Sequence, residues 1–330
     1  MKKLVTLALA LSLAQAASLA SADMMTLGHY GAPGEPVTNA AQIFADKLAE
    51  VSGGAMTVDI QGNSALGNAT EMAEQTQIGA IEACLVTQST LDRYDIRYSL
   101  TGSPYVFTSY AQAYAVVDGP FAEWVGDGTL ESKGLHNVGA WDYGFRSMTN
   151  SKREIKTPAD VAGLKMRTPS EIQKVAAMEA LGADVQQVAF TELITALKQG
   201  VVDGQENPLS TIYNNSLWEA NQKYLTLDRH TWDAVNLTVN NDWWTGLTDE
   251  QRGWVEEAAA VARDAMRDEV QNSEQDYIQK LKDKGMIVTE VNIEEFKACM
   301  QPAWDKMAEY EGSVDDMNYF LQMVADTVVE

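Results

Sequence analysis

The sequence predicts an α/β protein made of two lobes, and three observations carry the prediction. Residues 24–86 alternate short apolar strands with amphipathic helices in the order β-α-β-α-β. A second run of the same kind begins at His136. A single helical pattern then extends from Trp244 to Gly285, longer than an ordinary globular helix and long enough to lie across two lobes and couple them. Such alternation builds mostly parallel sheets with helices on their faces. At 330 residues the chain has room for two domains of ordinary size.

"MMTLGHY" alternates as a strand. "VTNAAQIFADKLAEVSGG" spaces its apolar residues by three and four and stops at Gly53-Gly54, so it reads as a helix. "AMTVDIQG" is a second strand, "NATEMAEQTQIGA" a second helix and "IEACLV" a third strand. Ligands of such sheets bind beyond the carboxyl ends of strands. Those ends carry His29-Tyr30-Gly31, Gln61-Gly62-Asn63 and Thr87-Gln88-Ser89. In the second run, "HNVGAWDYGFRSMTNS" reads as strand, turn, strand. "TPADVAGLKMRTP" gives a short helix and a strand ending at Arg167, and "SEIQKVAAMEALGA" an amphipathic helix. "DVQQVAF" is a strand, "TELITALKQG" a helix, and "VVDGQEN" a strand in which Val201 and Val202 are buried. The end of that strand would bring Glu206 and Asn207 to the rim that holds Arg167. Thr248 caps the long helix. "MIVTEV" and two or three helices close the chain.

The amino terminus reads as a secretory signal peptide, residues 1–22. Lys2 and Lys3 form a positive n-region, Leu4 to Leu13 an apolar run too short to span a bilayer, and Ala20-Ser21-Ala22 an A-x-A cleavage site. The expected mature chain starts near Asp23 and is exported. Its net charge is strongly negative, −23 for the whole sequence, and more so once Lys2 and Lys3 are removed. That balance argues against nucleic acid and anionic lipid surfaces, but not against an anionic ligand held by a local basic cluster.

Cys84 and Cys299 could pair in an oxidising compartment, though Cys84 sits in an apolar strand where a buried free thiol is common. His29, His136 and His230 are far apart in sequence and read as hydrogen-bonded structural residues. There is no CxxC, HExxH or GxSxG, so neither a closed zinc site nor a catalytic triad is expected. No enzyme activity, metal or cofactor is expected either.

Arg146 and Arg167 each fall at an expected strand end. A guanidinium presents a planar fork that fits a carboxylate bidentately. An arginine on a sheet rim can equally be a solvated charge. After Arg167, however, Thr168-Pro169-Ser170 opens a helix, whose amino terminus adds positive potential for an anion. Aromatic residues gather nearby in sequence: Trp141, Tyr143 and Phe145, then Phe190, Tyr213 and Trp232. They read either as core or as the walls of a pocket.

"GLKMRTPS", "ALGADVQQVAFTELITALKQGVVDGQENPLSTI" and "QKYLTLDRHTW", in that order and spacing, resemble the solute-binding proteins of TRAP (tripartite ATP-independent periplasmic) transporters, the DctP type. The resemblance covers nearly the whole expected mature chain. One departure is "VQQVAF", where members commonly carry Pro and Met before the Phe. The resemblance implies a periplasmic-binding-protein flytrap: two α/β lobes with mixed, mostly parallel sheets, a ligand cleft between them, and closure on binding. The first lobe would comprise residues 23–144 plus 232–271, the second 145–231 plus 272–330. Arg167 would pair with a ligand carboxylate, Asn207 would hydrogen-bond the ligand, and Arg146 would assist. Phe190 would pack on the ligand and Tyr30 touch its far end. Gln88, Asn68 and Glu71 fall near first-lobe positions that vary with specificity, and Trp232 lies where the chain returns to that lobe. Trp141, Tyr143 and Tyr213 complete the expected aromatic lining. Glu206, which would repel an anion, is expected to orient an arginine or hold the hinge.

The implied function is capture of a small organic acid in the periplasm, by a monomer, and delivery to TRAP permease subunits. A sugar acid or hydroxy acid would use the amides of Asn68, Gln88, Asn207 and Asn236. An aromatic carboxylate would use the tryptophans. A zwitterion such as ectoine would need Glu71 or Asp142. Ligand presentation to a sensor protein is a further alternative.

Overall fold

The structure, a computed structural model, describes residues 23–329, so the expected signal peptide lies outside the described residues. Twelve strands are described: β1 (Asp23–His29), β2 (Met56–Gln61), β3 (Ala83–Thr87), β4 (Leu135–Ala140), β5 (Gly144–Asn150), β6 (Lys165–Thr168), β7 (Asp184–Gln187), β8 (Gly204–Pro208), β9 (Tyr224–Leu227), β10 (Trp232–Asp233), β11 (Val235–Asn240) and β12 (Ile287–Glu290). The helices are α1 (Pro36–Val51), α2 (Ala69–Gln77), α3 (Tyr110–Asp118), α4 (Pro120–Val125), α5 (Ile172–Ala180), α6 (Phe190–Gln199), α7 (Leu209–Asn214), α8 (Asn241–Gly246), α9 (Asp249–Asp283), α10 (Ile293–Lys297), α11 (Gln301–Glu311) and α12 (Val314–Asp326).

The strands form two mixed sheets. The first has the order β2-β1-β3-β11-β4 and the second β12-β9-β5-β8-β6-β7, with β10 pairing on β5. The expected strand-turn-strand at residues 136–151 is not a hairpin. β4 lies in the first sheet and β5 in the second, so the turn between them is a crossing between lobes. Gly144 makes that crossing at φ +94°, where a Cβ would meet Val270 of α9 at 3.1 Å. The chain crosses back between β10 and β11. β11 pairs antiparallel with β3 and β4, and β5 antiparallel with β8 and β9.

α1 illustrates how the first lobe is held. Val37, Ala40, Ala41, Phe44, Ala45 and Leu48 are buried at helical spacing, and the helix packs on β2 and α9. Burying Phe44 or Leu48 stabilises by roughly 1.5–3 kcal/mol each. The helix ends where Gly53 and Gly54 take φ of +60° and +82°.

α9 runs for 35 residues from a capping box between Thr248 and Gln251. It touches α1 and β4 on one side, and α7 and β12 on the other, so one helix braces both lobes. Residues 272–330, expected with the second lobe, divide. β12 pairs with β9, whereas α12 packs on α3 and α4.

The "VVDGQENP" strand begins later than expected. Val201 is exposed and Val202 buried before the strand, and β8 is Gly204–Pro208, buried throughout. Gly204 is required there, because a Cβ would lie 2.3 Å from the Thr149 carbonyl oxygen. Both cysteines are free. Burial pushes the Cys84 thiol up to about 12. No helix among the described residues is long and apolar enough to cross a membrane.

Candidate functional site

A cavity of about 360 Å³ lies where the strand ends of the two sheets meet, within the size range of small-molecule pockets. The first sheet contributes Tyr30 after β1, Asn68 at the amino terminus of α2, and Thr87, Ser89, Thr90 and Asp92 at and beyond the end of β3. The second contributes Arg146, Arg167, Asn207, Glu171 and Phe190. Tyr143, on the crossing between the sheets, stands against Tyr30 edge-to-face at 5.5 Å, and Tyr30 stands against Phe190 at 6.4 Å. These three rings form an apolar wall beside the arginines.

The two arginines differ in what already holds them. Arg146, on β5, reaches Glu206 of β8 through Nε and donates through Nη2 to Glu206 Oε1 and Asn207 Oδ1, each at 3.0 Å. Met148, two residues along β5, stands opposite Glu206 in the antiparallel register, which sets the reach. Burial penalises the Arg146 cation, but Glu206 more than offsets that and its pKa rises. Glu206 also accepts from His230 at 3.2 Å, and His230 meets Asp228 at 2.7 Å. Burial would lower the His230 pKa, but Asp228 and Glu206 push it up to about 9, so the ring is cationic at neutral pH. Glu206 is therefore the fixed anion between two cations, in agreement with its expected role as an orienting residue.

Arg167 has no such partner. It is only 2 % exposed, and its Nε donates to the Val188 carbonyl oxygen at 2.8 Å. Among the described residues no carboxylate lies within ion-pairing distance, and its two terminal nitrogens have no protein acceptor. Burial, with repulsion from Arg146 adding to it, pulls its pKa down to about 10, against the opposing pull of Glu206. A buried, uncompensated guanidinium is costly unless something supplies the anion.

A second charged cluster closes the cavity on the other side. Lys174, on α5, donates to Ser89 Oγ at 2.9 Å, to Asp233 Oδ2 at 2.6 Å and to Glu171. Glu171 accepts from Thr87 at 3.1 Å and lies 2.7 Å from Ser89 Oγ. These contacts join the second lobe to the end of β3 in the first. The helix amino terminus expected to attract a ligand anion is α5, and its N-cap position is Glu171 itself. The anion at that terminus is the protein's own.

Several expected site residues lie elsewhere. Trp141 is fully buried against Phe44 in the first-lobe core. Trp232 is buried among Phe107 and Tyr114, and its indole N–H donates to Asp142 at 2.9 Å, so it anchors the crossing rather than lining the cavity. Tyr213 packs on Tyr277 of α9. Glu71 is engaged with the backbone amide of Asn68 in the α2 capping box. Gln88 is buried at the start of the 3-10 turn after β3 and does not line the cavity, which Thr87, Ser89 and Thr90 do. His29, expected to be hydrogen-bonded, is buried with neither ring nitrogen partnered. Tyr30, Asn68, Tyr143, Arg146, Arg167, Phe190 and Asn207 do come together. Asp92 and Lys174 carry no sequence signal of a site, and Thr87 and Ser89 carry only that of their place at the end of β3.

The family model for bacterial extracellular solute-binding protein, family 7 (DctP), matches residues 27–311. An uncharacterised protein y4mM of Sinorhizobium fredii is 39% identical over 217 residues, 66% of this chain, and the match spans only 40% of that relative. The C4-dicarboxylate-binding periplasmic protein DctP of Rhodobacter capsulatus is 31% identical over 93% of each chain. Among solved structures, the sugar acid binding protein DctPAm of Advenella mimigardefordensis, in complex with galactonate, superposes with a TM-score of 0.87 at 28% identity, covering 92% of this chain and 98% of its own. A TRAP periplasmic solute binding protein of Polaromonas, bound to D-erythronate, gives 0.87 at 29%, covering 93% and 100%. These are solute-binding proteins rather than enzymes. The family match over 27–311 and the two-lobed architecture agree, and the chain belongs to the DctP family of bacterial extracellular solute-binding proteins, the binding component of TRAP transporters.

Proposed function

We propose that this protein captures a hydroxylated organic acid, a sugar acid or hydroxy acid, in the periplasm and hands it to a TRAP membrane permease. One observation carries the reading: Arg167 is a nearly fully buried guanidinium in the interlobe cavity with two terminal nitrogens and no carboxylate partner. A ligand carboxylate supplies the missing charge and accepts both N–H groups in the bidentate geometry that guanidinium favours. Arg146, oriented by Glu206, and Asn207, held by Arg146 and Gln205, stand next to it. Tyr30, Tyr143 and Phe190 offer apolar faces for the carbon chain, while Asn68, Thr87, Ser89 and Thr90 offer amides and hydroxyls for hydroxyl groups. Trp141 and Trp232 are buried outside the cavity and offer no wall to an aromatic carboxylate. The galactonate and D-erythronate seen in two structural relatives support the same choice.

The roles follow from chemistry. Arg167 neutralises the carboxylate, Arg146 and Asn207 fix its orientation, and lobe contacts such as Thr87 and Ser89 with Glu171 exclude water around the pair. A charge-assisted pair in such a site is stronger than one on a surface. The protein acts as a monomer and turns nothing over.

A thermal-shift screen of organic acids on the purified mature protein, followed by calorimetry, tests the proposal. A true ligand raises Tm progressively with its excess over Kd. Transport of the hit by vesicles holding the permease, dependent on this protein, tests delivery. Silence across monocarboxylates, dicarboxylates and amino acids would sink acid capture.

A further inference from the structure

The charged groups of the cavity can be followed until only the unused ones remain. Lys174 has three N–H bonds, and Ser89, Glu171 and Asp233 take them. Arg93 turns to Glu74 at 3.2 Å. Arg146 is held by Glu206 and Asn207. Thr87 and Thr90 hydrogen-bond each other at 2.8 Å. Two charged groups without a charged or hydrogen-bonding side-chain partner are left over in the cavity lining among the described residues. One is Arg167. The other is Asp92, which is 8 % exposed, lines the same cavity from the turn after β3, and receives no hydrogen bond from any side chain among the described residues. Glu171 lines the same cavity and shares the single ammonium of Lys174 with Asp233. The cavity thus holds Arg146 and Arg167 on its second-lobe wall and the Asp92 carboxylate on its first-lobe wall, with Glu171 at the start of α5 lining it as well. Burial, with the charge of Glu171 adding to it, pushes the Asp92 carboxyl up to about 7, against the weaker opposing pull of Lys174 and Arg93.

Building on the proposed acid capture, we infer that Asp92 is a specificity residue: the ligand is a monocarboxylate whose far end carries hydroxyl donors, and Asp92 accepts from those hydroxyls while refusing a second carboxylate. A ligand hydroxyl supplies the side-chain donor that Asp92 lacks among the described residues. A second carboxylate in that place would face Asp92 and Glu171, whose neighbouring cation Lys174 already spends its three N–H bonds on Ser89, Glu171 and Asp233, and like charges in a desolvated site are strongly disfavoured. The inference separates this chain from the relative named for C4-dicarboxylates despite their 31% identity.

The test is calorimetry with two matched pairs: galactonate with galactarate, and erythronate with meso-tartrate. Within each pair the chain length is the same, and only the terminal hydroxymethyl becomes a carboxylate. We expect at least one monocarboxylate to bind, and its dicarboxylate to bind at least about 30-fold more weakly. Asp92→Asn should narrow that ratio by about tenfold or more, because the amide accepts and donates without charge. Arg167→Met should abolish binding of both members. The wild-type ratio stands by itself if the Asn variant folds poorly, and the variant's own melting curve reports that. A dicarboxylate that binds as tightly as its partner, or an Asn variant that folds and keeps the ratio, overturns the assignment of Asp92. Succinate or another dicarboxylate binding in place of all the monocarboxylates would overturn this inference and leave acid capture standing, whereas no acid binding at all would overturn both.

Discussion

Replacing Arg167 by Met separates the two things a buried guanidinium does. In the protein alone, Arg167 is 2 % exposed, bonded only through Nε to the Val188 carbonyl oxygen, and its pKa is drawn down to about 10 by burial. Its charge is therefore a cost in the absence of an anion, and an apolar side chain of similar length removes that cost at the loss of one hydrogen bond. Losing a bond to a charged donor costs about 1.5–3 kcal/mol, and removing an unpaired buried charge returns an amount of the same order. The Tm of the variant alone should then stay within a few degrees of the wild type, or rise. With ligand present the balance reverses. A ligand carboxylate left unpaired in the cavity costs about 2–5 kcal/mol, which is roughly a 30-fold to several-thousand-fold loss in Kd. Calorimetry with the best acid from the screen reads the affinity, and differential scanning calorimetry without ligand reads the stability. Arg167→Lys should recover part of the affinity, since the charge returns without the planar fork. A variant that binds within threefold of the wild type would refute the carboxylate clamp. One that loses ligand binding together with about ten degrees of Tm would show Arg167 to be a structural residue instead.

Further outcomes follow from the other charged clusters. His230 is held up to about 9 in the folded protein against an ordinary 6.5, so its contribution to stability is complete below about pH 6.5 and is lost as pH rises through 9. Melting curves between pH 6 and 10 should show that decline, on the order of 1–3 kcal/mol, and His230→Asn should flatten it. Lys174→Met leaves Glu171 and Asp233 as buried carboxylates without their cation, and urea unfolding should show a loss of about 3–5 kcal/mol. Trp232→Phe removes the donor to Asp142 and should lower stability by about 1–3 kcal/mol while leaving acid affinity unchanged, since the indole lies outside the cavity.

Much of the fold is written locally. The α1 helix follows from apolar residues three and four apart and from Gly53-Gly54 at its end. The start of α9 follows from Thr248 and Gln251, and the two α/β units from strand-helix alternation. The segments "GLKMRTPS" and "ALGADVQQVAFTELITALKQGVVDGQENPLSTI" also contain Arg167, Phe190 and Asn207, which the cavity brings together. Local pattern failed where the answer depended on a partner in another element. The β4–β5 segment looks like a hairpin because its turn chemistry is that of one, and only the pairing of β5 with β8 and β9 shows a crossing. Trp141 and Trp232 looked like pocket walls because aromatics serve equally as walls and as core.

By itself the sequence determined the strands, helices and caps, the family, and the positions of the two arginines, because these depend on neighbours within a few residues or on motifs read whole. The tertiary structure alone decided which charges are spent. Arg146 is matched by Glu206 sixty residues away, and Ser89 meets Asp233 across 144 residues. Among the described residues Arg167 and Asp92 emerge without side-chain partners. The reason is physical: the state of a charge in a dry cavity is set by what lies within a few ångströms of it. Those neighbours come from opposite lobes, and folding brings them together.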